Sequence, residues 1–215
     1  PGTFTGVAVA NTASFPVEVI YRLFDNNGNL TQGAGITNPI AINLNPGEQL
    51  PILSTQLFGV PSSNTPGWVE VDSTNPDLKA FYLYGASDLS FLDGADVSGT
   101  PLTDLTFQRV QEAGDPVYTV VSLVNPNAKT AKATLDLRDP NGSLVASQTT
   151  TIGAGNRIVK LVRDLFPGVT QQIGGTIRVR SDLGLVGFEL FSNGAIDLGG
   201  INPQRTNDTT RSLFF

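Results

Sequence analysis

Histidine, cysteine and methionine are all absent from this 215-residue chain, and tryptophan occurs once. Without His or Cys, Ser-His-Asp and Cys-His catalysis, thiolate chemistry and ordinary zinc sites are excluded. Zero Cys also removes disulfides, which are optional even in exported bacterial proteins. No apolar run approaches the roughly 20 residues of a membrane-spanning helix. The chain begins at Pro1 with no initiator Met and no signal peptide, so the expectation is a processed product or a fragment. Basic residues are scarce at the front. Residues 1–104 hold Arg22 and Lys79 against ten acids, a charge of −8. Residues 105–215 hold eleven basic and nine acidic residues, a charge of +2, which restores the total of −6. An acidic half followed by a mildly basic one argues against nucleic acid as a partner of the whole chain.

What is present suits a β protein. Hydrophobic residues make up 40% and mean hydropathy is near zero, which is enough to form a core. Gly (23) and Pro (14), with frequent Thr, Val and Asn, favour strands and tight turns over helices. The length suits two domains of about 100 residues.

Sliding the sequence along itself exposes a repeat. "FTGVAVAN" (Phe4–Asn11) falls on "YTVVSLVN" (Tyr118–Asn125), and "LFDNNGNL" (Leu23–Leu30) on "LRDPNGSL" (Leu137–Leu144), both at an offset of 114. Six residues are then lost from the second copy. "GWVEVDS" (Gly67–Ser73) meets "GTIRVRS" (Gly175–Ser181) at 108, and "AFYLYG" (Ala80–Gly85) meets "GFELFS" (Gly187–Ser192) at 107. Markers in one order at near-constant spacing signify an internal duplication. Apolar phase repeats too. Val17, Val19, Tyr21 and Leu23 answer Ala131, Ala133, Leu135 and Leu137, with Lys132, Thr134 and Asp136 pointing outward. Period-two segments bounded by Asn-Gly, Pro-Gly and Gly-Gly specify half-buried antiparallel strands. Short helical turns are expected at Ser54–Phe58 and Arg163–Phe166.

The fold expectation is therefore all-β: two tandem antiparallel β-sandwich (Ig-like) repeats related by internal duplication. Residues 1–102 form the first, 103–209 the second, and 210–215 an extended apolar strand, with the boundary near Ser98–Asp104. The expected first core holds Val19, Tyr21, Leu23, Val69, Val71, Phe81 and Leu83. The second holds Leu135, Leu137, Ile177, Val179, Phe188 and Leu190. "DNNGNL" and "DPNGSL" each bring one Asp, too few carboxylates for a calcium loop, and they read as hairpin turns with Gly28 and Gly142 at positive φ. No metal and no cofactor is expected.

"LTFQRVQEAGDPVYTVVSLVNPN" (Leu105–Asn127), "DPNGSL", "LFPGV" (Leu165–Val169) and "VGFELF" (Val186–Phe191) resemble the tandem β-sandwich repeats of large secreted bacterial proteins. The resemblance covers nearly the whole chain and implies an extracellular or cell-surface structural or binding role, with no catalytic residues. The first copy departs from the pattern, since nothing before Phe4 corresponds to the opening "LTFQ" strand.

Three sets of residues carry functional readings. Trp68, Glu70 and Asp72, with Tyr82 and Tyr84, would share an outward face if their strands were neighbours. Such a face fits either glycan stacking or a contact between domains. The Glu70/Asp72 pair has Arg178 and Arg180 as its counterparts, so it is no fixed carboxylate pair for hydrolysis, and opposite charge on equivalent faces would favour head-to-tail pairing. Sequons stand at Asn29, Asn141 and Asn207; the first two lie in the hairpin turns, where Asn suits the backbone geometry, and coincidence is favoured over glycosylation unless the host is eukaryotic.

Last, "TDLTF" (Thr103–Phe107) aligns with "TRSLFF" (Thr210–Phe215), pairing Leu105 with Leu213 and Phe107 with Phe215. The chain thus stops as a third repeat would begin, while its first repeat lacks that strand. Leu213, Phe214 and Phe215 are the expected assembly strand, filling the first sandwich of another copy, or meeting an adjacent repeat of a longer chain.

Overall fold

The computed structural model describes residues 2–61, 66–97, 99–169, 171–194 and 198–206. Among them every paired strand runs antiparallel, and the helices are one-turn pieces. The N-terminal half contributes β1 (Thr3–Asn11), β2 (Val17–Phe24), β3 (Ile40–Leu44), β4 (Gln49–Leu53), α1 (Ser54–Phe58), β5 (Trp68–Asp72), β6 (Leu78–Ala86) and β7 (Leu92–Asp96). These make two sheets, ordered β4-β1-β6-β7 and β3-β2-β5. Val9, Val19, Tyr21 and Leu44 are buried between them, and Leu57 and Phe58 of α1 close one end. Each such burial stabilises by roughly 1.5–3 kcal/mol.

The C-terminal half contributes β8 (Leu102–Phe107), β9 (Gln111–Glu112), β10 (Val117–Val124), β11 (Ala131–Arg138), β12 (Leu144–Ile152) and β13 (Arg157–Leu161). After these come α2 (Val162–Leu165), β14 (Gln172–Ile173), β15 (Thr176–Asn193), β16 (Leu198–Ile201) and β17 (Gln204–Arg205). The 18-residue β15 belongs to both layers. Its first part pairs with β11 and β8, and its second part with β10 and β16. One layer reads β12-β11-β15-β8-β17 and the other β13-β10-β15-β16. A separate core fills the space, including Leu105, Phe107, Leu123, Leu135, Leu137, Ile177 and Val179. Sheet pairing passes from one half to the other between β7 and β8. Ser98, within the expected boundary stretch, lies outside the described residues.

Strand order and register correspond between the halves. Val7 faces Tyr82 and Ile52, while Val121 faces Glu189 and Lys160. Tyr21 faces Val71, and Leu135 faces Val179. The separate β5 and β6 of the first half are thus one continuous strand, β15, in the second. The reason for register is local: period-two apolar residues on β2 and β11 leave only one pairing that buries them all. Val19 and Tyr21, like Leu135 and Leu137, are fully buried, while Lys132 is exposed.

Several expectations require correction. Phe81 is 38% exposed, and Leu83, Phe188 and Leu190 are only half-buried. In β6 it is Leu78 and Ala80 that pack on the core, and in β15 it is Leu185, Gly187 and Glu189 that are buried. Backbone pairing fixes this phase, since Val9 and Ala80 share a face, as do Val121 and Glu189. The apolar outer residues mislead because their face is also covered: Phe188 receives the edge of Tyr82 at 5.3 Å, ring centroid to centroid. Val69 and Val71 face inward yet are half-buried. Asp136 keeps its outward phase but is buried beneath Arg180 and Ser147, whose donors lie at 2.6 and 2.7 Å. The second helical turn runs one residue earlier than expected, Val162–Leu165.

Candidate functional site

The halves differ most at one strand edge. β15 is flanked by β11 on one side and β8 on the other, with Ile177 opposite Phe107 and Val179 opposite Leu105. All four side chains are fully buried. β5, the counterpart of that part of β15, pairs with β2 and has no second neighbour among the described residues. Val69 and Val71 stand where Ile177 and Val179 do, and remain half-buried. An edge strand offers unpaired N–H and C=O groups to an incoming chain, and here half-covered apolar side chains lie beside them.

Charge on the outer face is settled within each half. Arg22 on β2 holds Glu70 at 2.7 Å and Asp72 at 3.1 Å, and those hydrogen bonds raise its own pKa. Arg178 grips Asp104 of β8 through Nε at 2.9 Å and Nη2 at 2.6 Å, and this pairing holds the Asp104 carboxyl below its ordinary value. Arg180 reaches Asp136. Arg22 and Asp136 occupy equivalent positions on β2 and β11, so the two halves carry the same ion pair with its signs exchanged. Glu70, Asp72, Arg178 and Arg180, whose opposite signs on equivalent faces were expected to favour head-to-tail pairing, each have a partner in their own half.

The aromatic set is divided by the fold. β5 and β6 lie in different sheets, so Trp68, Glu70 and Asp72 do not share a sheet face with Tyr82 and Tyr84. Trp68 stacks on Phe24 at 4.4 Å and donates its indole N–H to Gly155 O of the other half at 3.1 Å. Tyr82 contacts Phe188, and burial raises the pKa of its hydroxyl. Tyr84 tilts against Phe91. Leu213, Phe214 and Phe215, with the sequon at Asn207, lie outside the described residues.

The turns at Asp25–Leu30 and Asp139–Leu144 use their carboxylates on the backbone. Asp25 Oδ1 accepts from the N–H groups of Asn27 and Asn29, and Asp139 Oδ1 from those of Asn141 and Ser143. The Asn29 bond is the main cause of Asp25's lowered pKa. Among the described residues no cluster of three or more acids could hold a metal ion. Among those residues no helix is long and apolar enough to cross a membrane.

Sequence reasoning passed over two features. Asn11 and Asn125 end equivalent strands and are buried. The Asn11 amide donates to the carbonyls of Phe15, Leu44 and Asn45, and the Asn125 amide to those of Lys129, Ile152 and Gly153. The shared "N" of "VAN" and "LVN" in the repeat was the available signal. Glu189 is a fully buried carboxyl; Oε1 accepts from Arg109 N at 3.2 Å, and desolvation pushes its pKa up to about 7. No protein-family model, curated protein or solved structure matches the chain.

Proposed function

We propose that the chain is a duplicated pair of Ig-like β-sandwich modules and serves as a non-enzymatic structural subunit of an extracellular or cell-surface assembly. Copies join head to tail by strand addition at β5. The observation that carries this reading is the contrast between β5, paired on one side among the described residues, and β15, closed by β8 on the other.

The register of β8 on β15 serves as the template. Carried over by the repeat offset, Phe215 would face Val69 and Leu213 would face Val71, with Phe214 beside Glu70 and Ser212 beside Asp72. Where β8 brings Asp104 to Arg178, the tail brings an uncharged Ser212 to acidic β5. A second Asp104-type strand would meet Glu70 and Asp72 with like charge, so the tail is the better-matched occupant. Because donor and acceptor surfaces differ, the contact is heterologous and grows an open filament.

Deleting Arg211–Phe215 tests this. Light scattering and electron microscopy should show filaments for the full chain and monomers for the truncated one, with the C-terminal half still folded. Filaments that persist after the deletion, or a full chain that stays monomeric at high concentration, would overturn strand addition.

A further inference from the structure

Besides the contact of Tyr82 with Phe188 and the hydrogen bonds from Gly200 N to Asp93 and from Asn202 Nδ2 to Asp96 O, the two halves meet through a pair of turns. Arg157 N donates to Asn26 O at 2.9 Å, and Arg157 Nη1 donates to Gly67 O. With its amide oriented to satisfy its neighbours, Asn156 donates to Asn27 O at 2.7 Å. The backbones of Gly28 and Gly155 touch so closely that a Cβ on Gly28 would stand 2.7 Å from the Gly155 carbonyl carbon. The turn Asp25–Leu30 therefore seats on the turn Gly153–Arg157, and glycine at both positions permits the approach.

Each of these turns has a counterpart that makes no such contact. Asp139–Leu144 corresponds to Asp25–Leu30, with the same side-chain caps on its backbone. Asn45–Gln49, leading into β4, corresponds to Gly153–Arg157, leading into β13. A Cβ at Gly142 or at Gly47 would meet nothing within 4 Å. One seat and one plug are used inside the chain; one of each remains, on opposite halves. Their chemistry is complementary. The Asn45–Gln49 turn carries Glu48, and the base of the Asp139–Leu144 turn carries Arg138, whose Nη1 donates to Gly142 O at 2.8 Å.

We propose that the Asp139–Leu144 turn of one copy seats on the Asn45–Gln49 turn of the next, repeating between copies one of the contacts that join the two halves. This rests on the reading that copies join head to tail, and it fixes how they are oriented: the C-terminal half of one copy stands to the N-terminal half of the next as the halves stand to each other. A strand alone can swivel about its connection; a strand plus a seated turn sets a defined rotation per subunit.

The absence of native cysteine makes disulfide trapping clean. Asn27→Cys with Asn156→Cys should close within one chain and leave a monomer on a non-reducing gel when polymerisation is blocked by removing the tail. Asn141→Cys with Glu48→Cys, in the full chain, should give a ladder of covalent multimers on oxidation, reversed by reductant. If filaments form and the within-chain pair closes, yet the between-chain pair gives no ladder, the seated-turn contact is wrong and head-to-tail joining survives. If the within-chain pair fails to close, the template itself is wrong and the inference falls. A ladder that persists after Arg211–Phe215 is removed would keep the turn contact and overturn strand addition. A full chain with neither filaments nor ladder would overturn both.

Discussion

The C-terminal layer continues past β15 through β8 and β17, and its central residues Ile177 and Val179 are sealed. Among the described residues the N-terminal layer stops at β5, and the equivalent Val69 and Val71 stay half open. Elsewhere the corresponding strands pair in the same order and register, and the buried Asn11 and Asn125 match. The difference therefore isolates what one added strand contributes: two fully buried side chains, Leu105 and Phe107, a bidentate Asp104–Arg178 pair, and closure of an edge. A module of this kind is completed by the segment that leads into it.

That comparison can be broken at the strand itself. Phe107→Ala removes a ring whose tip lies where a Cβ on Gly187 would be, 2.8 Å away, and the site cannot collapse onto a strand backbone. It should destabilise the C-terminal half by about 3–5 kcal/mol in chemical denaturation, whereas Val69→Ala at the open edge should cost about 1 kcal/mol. Equal costs would mean that β8 is not what separates the halves.

A second difference is titratable. Tyr82 in the first half stands where Glu189 stands in the second, each on the core side of its sheet. Burial raises Glu189 from 4.5 to about 7. A carboxyl with a raised folded-state pKa favours folding when protonated, so its contribution is whole below pH 4.5 and is lost as pH rises to about 7. Stability of the C-terminal half should fall by about 3 kcal/mol across that window at most. Glu189→Gln should flatten the profile in urea melts taken across the same pH window. An unchanged slope in Glu189→Gln would place the titration elsewhere.

The smallest effect sharpens the likeness instead. Asn11→Ala and Asn125→Ala each remove a side-chain donor from three carbonyls, of which Asn45 O and Gly153 O keep a backbone N–H, and each should cost its own half about 2 kcal/mol in urea melts. Costs that differ by more than about 1 kcal/mol would show that the two asparagines are not equivalent tethers.

Much of this was legible before any coordinates. The repeat offsets, the inward phase of β2 and β11, the turns at Gly28 and Gly142, and α1 at Ser54–Phe58 follow from local chemistry, in which a period of two and a positive-φ glycine leave few alternatives. The phase of β6 and of the end of β15 was not legible. Phe81, Leu83, Phe188 and Leu190 are the apolar residues there, and alternation alone sends them inward. Packing between the halves makes both faces of that sheet apolar in part, so the pattern loses its sign.

By itself, then, the sequence determined that this chain would form half-buried antiparallel strands twice over, with carboxylate-capped turns between them, because those features depend on residues close in the chain. The tertiary structure alone decided that Trp68 and Tyr82 meet the other half, that Glu70, Asp72, Arg178 and Arg180 each pair within their own half, and that β5 has a neighbour on one side only among the described residues. Those outcomes depend on which strand lies beside which across 44 to 87 residues of chain and more, as in Asp136 with Arg180 and Trp68 with Gly155. No local pattern encodes that neighbour; it is set by the pairing that buries the most apolar surface and leaves the fewest backbone groups unbonded.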